Sequence, residues 1–116
     1  MITMYGIKNC DTCRKALKWM TAEGISHQFH DFRADGLSPE TLSCWIEKAG
    51  GEPLLNRRGT TWPELPENDR DGIDATSAAE LMLANPTLIK RPVFDLDGTV
   101  AVGFKEAEQD LIQKKR

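Results

Sequence analysis

Ile2-Thr3-Met4-Tyr5-Gly6-Ile7-Lys8-Asn9-Cys10-Asp11-Thr12-Cys13 is the stretch that decides the fold. Ile2 to Tyr5 reads as a brief strand, and Gly6 lets the chain turn. Lys8-Asn9 leads into the two cysteines. Cys13, Ala16, Leu17 and Met20 then recur at i, i+3, i+4 and i+7, with Trp19 beside them, which is one face of an amphipathic helix. Arg14, Lys15 and Lys18 lie on its other faces. This pattern points Cys13 toward the core and Cys10 toward solvent at the helix start. The unpaired N–H groups and the dipole of a helix N-terminus favour a thiolate there, and the thiolate is the reactive form of cysteine. Lys8 and Arg14 add positive charge, whereas Asp11 opposes it. The Cys10 thiol is therefore expected to ionise below its ordinary value.

Two plainer readings compete with a reactive thiol. One is zinc: Cys10, Cys13, His27 and His30 read Cys-x2-Cys-x13-His-x2-His. In a zinc finger the histidines stand three to five residues apart and sit on the helix. Here the gap is shorter and the order is reversed, because His27 to Phe32 looks like a strand. No metal is therefore expected. The other reading is a pair of inert core cysteines, which prefer apolar surroundings and not a polar helix start.

The chain has 116 residues, a net charge of −3 and three cysteines. That length suits one domain with a real core. The mild acidity gives no basic face, so nucleic acid is not an expected partner. No apolar run approaches the length of a membrane span, and the N-terminus runs directly into a strand with no leader pattern. Three cysteines do not make a disulfide framework, so a reducing cytoplasm is the expected setting. Cys44 is read as a bystander on a helix flank.

Gln28 to Phe32 is the second strand, and Gly24 before it closes the first helix, giving β-α-β. Ser38-Pro39-Glu40 opens another helix with a capping serine and proline at its first position. Its buried stripe is Leu42, Trp45, Ile46 and Ala49, and Gly50-Gly51 stop it. Glu52 to Asp74 reads as irregular. Ser77-x-x-Glu80 reads as a capping box for a helix burying Ala78, Leu81 and Met82, ended by Asn85-Pro86. Val93 to Leu96 and Thr99 to Val102 flank Asp97-Gly98, a strong hairpin signal. A last helix runs from about Lys105 to Lys114 with Ala107, Leu111 and Ile112 inward. The expected fold class is α/β: a thioredoxin-like four-stranded mixed sheet flanked by helices, with an inserted helical subdomain at about 37–86. That plan asks for a cis-proline at the start of the third strand, facing the thiol, and Arg91-Pro92-Val93-Phe94 supplies the candidate.

With Tyr5-Gly6-Ile7-Lys8-Asn9-Cys10-Asp11-Thr12-Cys13-Arg14-Lys15-Ala16, Asn56-Arg57-Arg58-Gly59 and Asn85-Pro86-x-Leu88-Ile89-Lys90-Arg91-Pro92 in hand, nearly the whole chain (1–116) resembles the arsenate reductase (ArsC)/Spx family, and within it the YffB-like branch. The resemblance implies that Cys10 is the attacking thiolate. The arsenate reductases bind their oxyanion with three arginines. Arg91 matches one of them, the second falls on or beside Asn56 with Arg57 and Arg58 adjacent, and the third falls at about Gly103. The Spx regulators carry a Cys-x-x-Cys at this place as a redox switch and bind the RNA polymerase α subunit. The leading expectation is a thiol-disulfide reductase with no bound cofactor and glutathione as co-substrate. Cys10 would attack, and Cys13 or a second glutathione would resolve. Arg91 would hold an anionic group, and Pro92 would present a strand edge. Lys8, Asn9, Arg14 and Arg58 would line the substrate. The alternatives are an arsenate reductase coupled to glutathione and glutaredoxin, and a redox-sensing partner of RNA polymerase.

Overall fold

Ile2, Met4 and Gly6 are buried while Thr3 and Tyr5 between them are half-buried, the two-residue alternation of a strand set in the middle of a sheet. In the computed structural model, which describes residues 2–50, 54–57, 61–71 and 74–115, this strand is β1 (Ile2–Gly6). It is followed by α1 (Asp11–Ala22), β2 (His27–Asp31), α2 (Pro39–Ala49), α3 (Thr61–Glu64), α4 (Glu67–Arg70), α5 (Ala75–Ala84), β3 (Val93–Asp95), β4 (Val100–Val102) and α6 (Glu106–Lys115). The sheet order is β2-β1-β3-β4. β1 pairs parallel with β2, Ile2 opposite His27 and Gly6 opposite Asp31, and antiparallel with β3, Met4 opposite Phe94. β3 and β4 are antiparallel, Phe94 opposite Ala101. This is the mixed four-stranded sheet of a thioredoxin-like α/β fold.

The chain divides into two compact units, Met1–Gly36 with Arg91–Arg116, and Leu37–Lys90. The first holds the sheet, α1 and α6. Its core joins Met4 and Phe94 from the sheet to Cys13, Ala16 and Met20 from α1 and Ile112 from α6. Trp19 meets Phe104 edge-on at 5.4 Å, a favoured aromatic geometry that pins the outer side of α1. The second unit is helical. Ser38 caps α2 by accepting from the Thr41 N–H at 3.2 Å, with Pro39 at the first position as read from the sequence.

Several sequence expectations shift. β2 spans His27–Asp31, one residue earlier than expected. The capping box of α5 is made by Asp74 and Ser77, not by Ser77 and Glu80. The Asp74 carboxylate accepts from the Ser77 N–H at 2.9 Å, and the Ser77 hydroxyl accepts from the Asp74 N–H at 3.0 Å. Asp74 takes the cap position and Ser77 the third helical position, so the reciprocal pair lies three residues earlier than expected. Within the stretch read as irregular lie α3 and α4, each one turn long and so too short for hydrophobic periodicity. Ala107 is exposed; α6 buries Ile112 and half-buries Leu111. The hairpin turns where expected. Asp97 and Gly98 have φ of 60° and 106°, the positive values that a two-residue hairpin needs.

Gly6 does more than allow a turn. A Cβ there would lie 2.5 Å from the Cys13 sulfur and 3.5 Å from the Phe29 ring. The missing side chain is what lets α1 come down onto β1 with Cys13 fully buried. Gly6→Ala is expected to destabilise the protein by about 1–3 kcal/mol through overpacking, measured by denaturant unfolding. Adding Cys13→Ala to that variant removes the opposing sulfur and is expected to recover most of the loss. A Gly6→Ala protein as stable as the parent would show that the helix and strand do not meet this closely.

Candidate active site

The turn at the end of β1 sets the site. The Cys10 N–H donates to the Ile7 carbonyl at 3.2 Å, closing a turn over Lys8 and Asn9, and the Arg14 N–H donates to the Cys10 carbonyl at 3.0 Å, the first bond of α1. Cys10 is thus the N-cap, with extended backbone (φ −105°, ψ 121°). It is half-buried and packs against the core of its unit, so it is less solvent-facing than the helical pattern suggested. Cys13 is only 1% exposed. Both are free thiols, as is the half-buried Cys44 on α2.

The peptide bond between Arg91 and Pro92 is cis, as the sequence plan asked. Pro92 is buried, and its carbonyl accepts from the Gly103 N–H at 2.8 Å, extending the β3–β4 ladder. Gly103 has φ of 96°, a conformation that side chains rarely adopt.

The two sulfurs live in opposite environments. Burial resists ionisation of Cys10, yet the Cys13 amide and thiol and the Arg91 guanidinium outweigh it and bring the Cys10 pKa below its ordinary value. The Cys10 side chain closes no cap hydrogen bond, so the Cys13 amide acts on it as an aligned dipole and not as a formed bond. At Cys13, burial dominates and, with the adjoining Cys10 sulfur, pushes the thiol up to about 12 despite the Ile7 backbone N–H and Arg91. One sulfur is therefore favoured as a thiolate, while its neighbour keeps its proton at neutral pH.

Arg91 is the cation that acts on Cys10. Arg14 is turned elsewhere: its Nε donates to the Lys8 carbonyl at 3.2 Å, and its guanidinium lies 3.7 Å from the Asp11 carboxylate. The Arg14 and Lys8 charges expected to assist the thiolate are both exposed, as is Asn9. Arg58 lies outside the described residues. In the second unit the Arg57 guanidinium sits 5.0 Å above the Trp62 ring. His27 Nδ1 and His30 Nε2 contact the Ile25 and Gly36 carbonyls at 2.8 and 3.1 Å. Among the described residues no group of three or more His, Cys, Asp or Glu is gathered closely enough to hold a metal. No helix among them is long and apolar enough to cross a membrane.

Two residues of the site escaped the sequence reading. In the sequence Gly6 signals only a turn. In the sequence Asp31 is only part of a strand, whereas in the structure its carboxylate accepts from the Lys8 N–H of the cysteine loop at 3.1 Å. The signal for Asp31 was faint: an acidic residue closing an otherwise mixed strand just before a polar turn, where side chain-to-backbone bonds are common.

Against this geometry, comparison with known proteins gives a consistent answer. An uncharacterised Haemophilus influenzae protein is 47% identical over 108 residues, 93% of this chain and 95% of its own length. The global transcriptional regulator Spx of Streptococcus agalactiae is 28% identical over 110 residues, 93% of this chain and 80% of the regulator. Among solved structures, a YffB protein superposes with a TM-score of 0.91 at 41% identity, covering 97% of this chain and 98% of that one. An arsenate reductase (ArsC) related protein from Brucella melitensis superposes at 0.79 with 50% identity, covering 97% and 94%. The ArsC family model matches residues 5–112, and the chain belongs to the ArsC family.

Proposed function

We propose that this protein is a thiol-disulfide reductase of the cytoplasm, with Cys10 as nucleophile and glutathione as reductant. The observation that carries the reading is the paired asymmetry of the two sulfurs: Cys10 favoured as thiolate beside Arg91, Cys13 buried and protonated. The Cys10 thiolate attacks one sulfur of a disulfide. A Cys10–substrate disulfide forms, and the other half leaves as a thiolate that takes a proton from solvent. A glutathione thiolate, or Cys13 after losing its proton, then attacks the Cys10 sulfur and releases the second half as a thiol. In the glutathione route a second glutathione thiolate attacks the glutathione sulfur of the resulting Cys10–glutathione disulfide and returns the Cys10 thiolate; in the Cys13 route two glutathiones reduce the Cys10–Cys13 disulfide. Either way the substrate disulfide gains two electrons and two glutathiones become glutathione disulfide.

The order of events follows from the charges. The Cys10 thiolate is one of the groups that hold the Cys13 proton in place. Once Cys10 is tied up in a mixed disulfide that charge is gone, so Cys13 becomes easier to ionise at the moment it is needed. Arg91, freed of its thiolate, can then hold a carboxylate of the substrate. The guanidinium suits this because its planar donors grip a carboxylate two-pronged.

A second reading, arsenate reduction with glutathione and glutaredoxin, is favoured by Arg91 beside Cys10 and by the ArsC-related structural neighbours. Arsenate turnover under those conditions separates it from disulfide reduction. A third, an Spx-like redox sensor, is favoured by the regulator relatives; oxidation-dependent capture of the RNA polymerase α subunit, without turnover, would select it.

Exposure to glutathione disulfide is expected to add one glutathionyl group at Cys10, read by mass spectrometry of peptides. Cys10→Ser is expected to reduce disulfide exchange to background, and Cys13→Ser only to slow it while glutathione is present. Adducts spread evenly over Cys10, Cys13 and Cys44 would remove the single nucleophile. A further outcome concerns Arg91. Loss of its cation destabilises the thiolate, so Arg91→Ala is expected to move the pH midpoint of Cys10 alkylation upward and to weaken binding of an anionic thiol. Arg91→Lys is expected to restore the midpoint more than the binding.

A further inference from the structure

Asp31 is the one buried charged or polar side chain among the described residues, 6% exposed at the end of β2. Burying a carboxylate is costly unless each oxygen is satisfied. Here all three of its hydrogen bonds come from backbone N–H groups. Oδ1 accepts from Arg33 at 2.9 Å and Ala34 at 3.0 Å, and Oδ2 accepts from Lys8 at 3.1 Å. Burial resists the charge, and the Ala34, Lys8 and Arg33 amides outweigh it, holding the carboxyl below its usual range. One oxygen therefore caps the turn after β2, where the Asp35 N–H also donates to the Asp31 carbonyl at 2.8 Å. The other reaches across to the middle of the loop that carries Cys10.

That loop has few other ties. Lys8 and Asn9 are exposed, and the Cys10–Ile7 bond is internal to the loop. The Lys8 carbonyl accepts from the exposed Arg14 side chain. Capping one turn does not require a carboxylate, since a hydroxyl or amide does it. The second oxygen is what links β2 to the thiol loop.

We infer that Asp31 is a positioning residue for the reaction: through the Lys8 N–H it holds the 7–10 loop in the register that keeps the Cys10 sulfur aligned with the Cys13 amide and Arg91. The inference rests on Cys10 as the nucleophile and deepens that reading. It also has a direction that simple charge removal lacks. The charged groups on the elements around Cys10 are Lys8 in the loop, Asp11 and Arg14 in the first turn of α1, Arg91 before β3, and Asp31 itself. Deleting the Asp31 charge with the loop unmoved would favour the Cys10 thiolate. Losing the alignment would disfavour it, because burial would then act without its compensation.

The experiment compares the parent with Asp31→Asn and Asp31→Ser. Asparagine keeps an oxygen for Arg33 and Ala34 but turns a donor toward the Lys8 N–H. Serine keeps a turn acceptor and is too short to reach Lys8. Each is treated with iodoacetamide across a range of pH, with Cys10 labelling read by peptide mass spectrometry and folding followed by circular dichroism. The expected result is an upward shift of the Cys10 midpoint in both variants and a several-fold slower labelling at neutral pH, with the fold retained. A midpoint that stays put or falls, whatever happens to the melting temperature, overturns the role. Iodoacetamide reads Cys10 without any glutathione step, so failure of glutathione exchange in the parent would count against the function and not against Asp31.

Discussion

The contact between Gly6 and the Cys13 sulfur is the constraint from which the rest of the site follows. A strand and a helix pack at a distance set by the side chains between them. With no Cβ at Gly6 and only a sulfur at Cys13, α1 comes down onto the end of β1 as closely as the backbones allow. That approach buries Cys13 completely and keeps Ala16 and Met20 in register with Met4 and Phe94 in the same core. It also fixes where the helix begins. Cys10 is three residues before Cys13, so it has to sit at the cap, where the unpaired amides are. Any larger residue at either position would lift the N-terminal turn and separate Cys10 from the groups that favour its thiolate.

The chemistry is a consequence of placing two identical side chains one helical turn apart in unlike surroundings. Both sulfurs pay for burial, but only Cys10 collects enough compensation from the Cys13 amide, the Cys13 thiol and Arg91 to ionise readily. Cys13 lies deeper and faces the charge of its partner, so its proton is held up to about 12. The same proximity therefore lowers one group and raises the other. Such coupled thiols share one readily lost proton between them, and the geometry assigns it to the outer sulfur.

What the sequence disclosed followed from how local each signal is. The Cys-x-x-Cys at a helix start, the Ser38-Pro39 cap and the Asp97-Gly98 hairpin are contained within a few residues, and each appears where its pattern placed it. The order of strands and helices then specified the thioredoxin-like sheet, and the cis bond before Pro92 came from the demands of that plan. Interactions that join distant segments left weaker marks. Arg14, close to Cys10 in sequence, is turned to Asp11 and the Lys8 carbonyl, and Arg91, some eighty residues away, acts on Cys10 as the thioredoxin-like plan placed it. The Asp31–Lys8 bond spans 23 positions and carries no motif. Ala107 was read as inward on a short helix where the small apolar residue could equally face out. One-turn helices such as α3 and α4 give no period to detect.

The groups gathered around the Cys10 loop come from four places in the chain: the turn after β1, the first turn of α1, the end of β2 and the segment before β3. All four belong to the unit that contains the sheet. The Leu37–Lys90 unit enters the chain between Gly36 and Arg91. Its two points of attachment are therefore covalently close to the site, one following the turn that Asp31 caps and the other directly preceding Arg91. The sheet-bearing unit supplies the reactive thiol, its proton-holding neighbour and the cation by itself. Among the described residues, the bonds that place Asp31 and the Cys10 cap are all made within the sheet-bearing unit. The lowering of the Cys10 thiol pKa is thus a property of the sheet-bearing unit alone, made by the first turn of α1 and the arginine before β3.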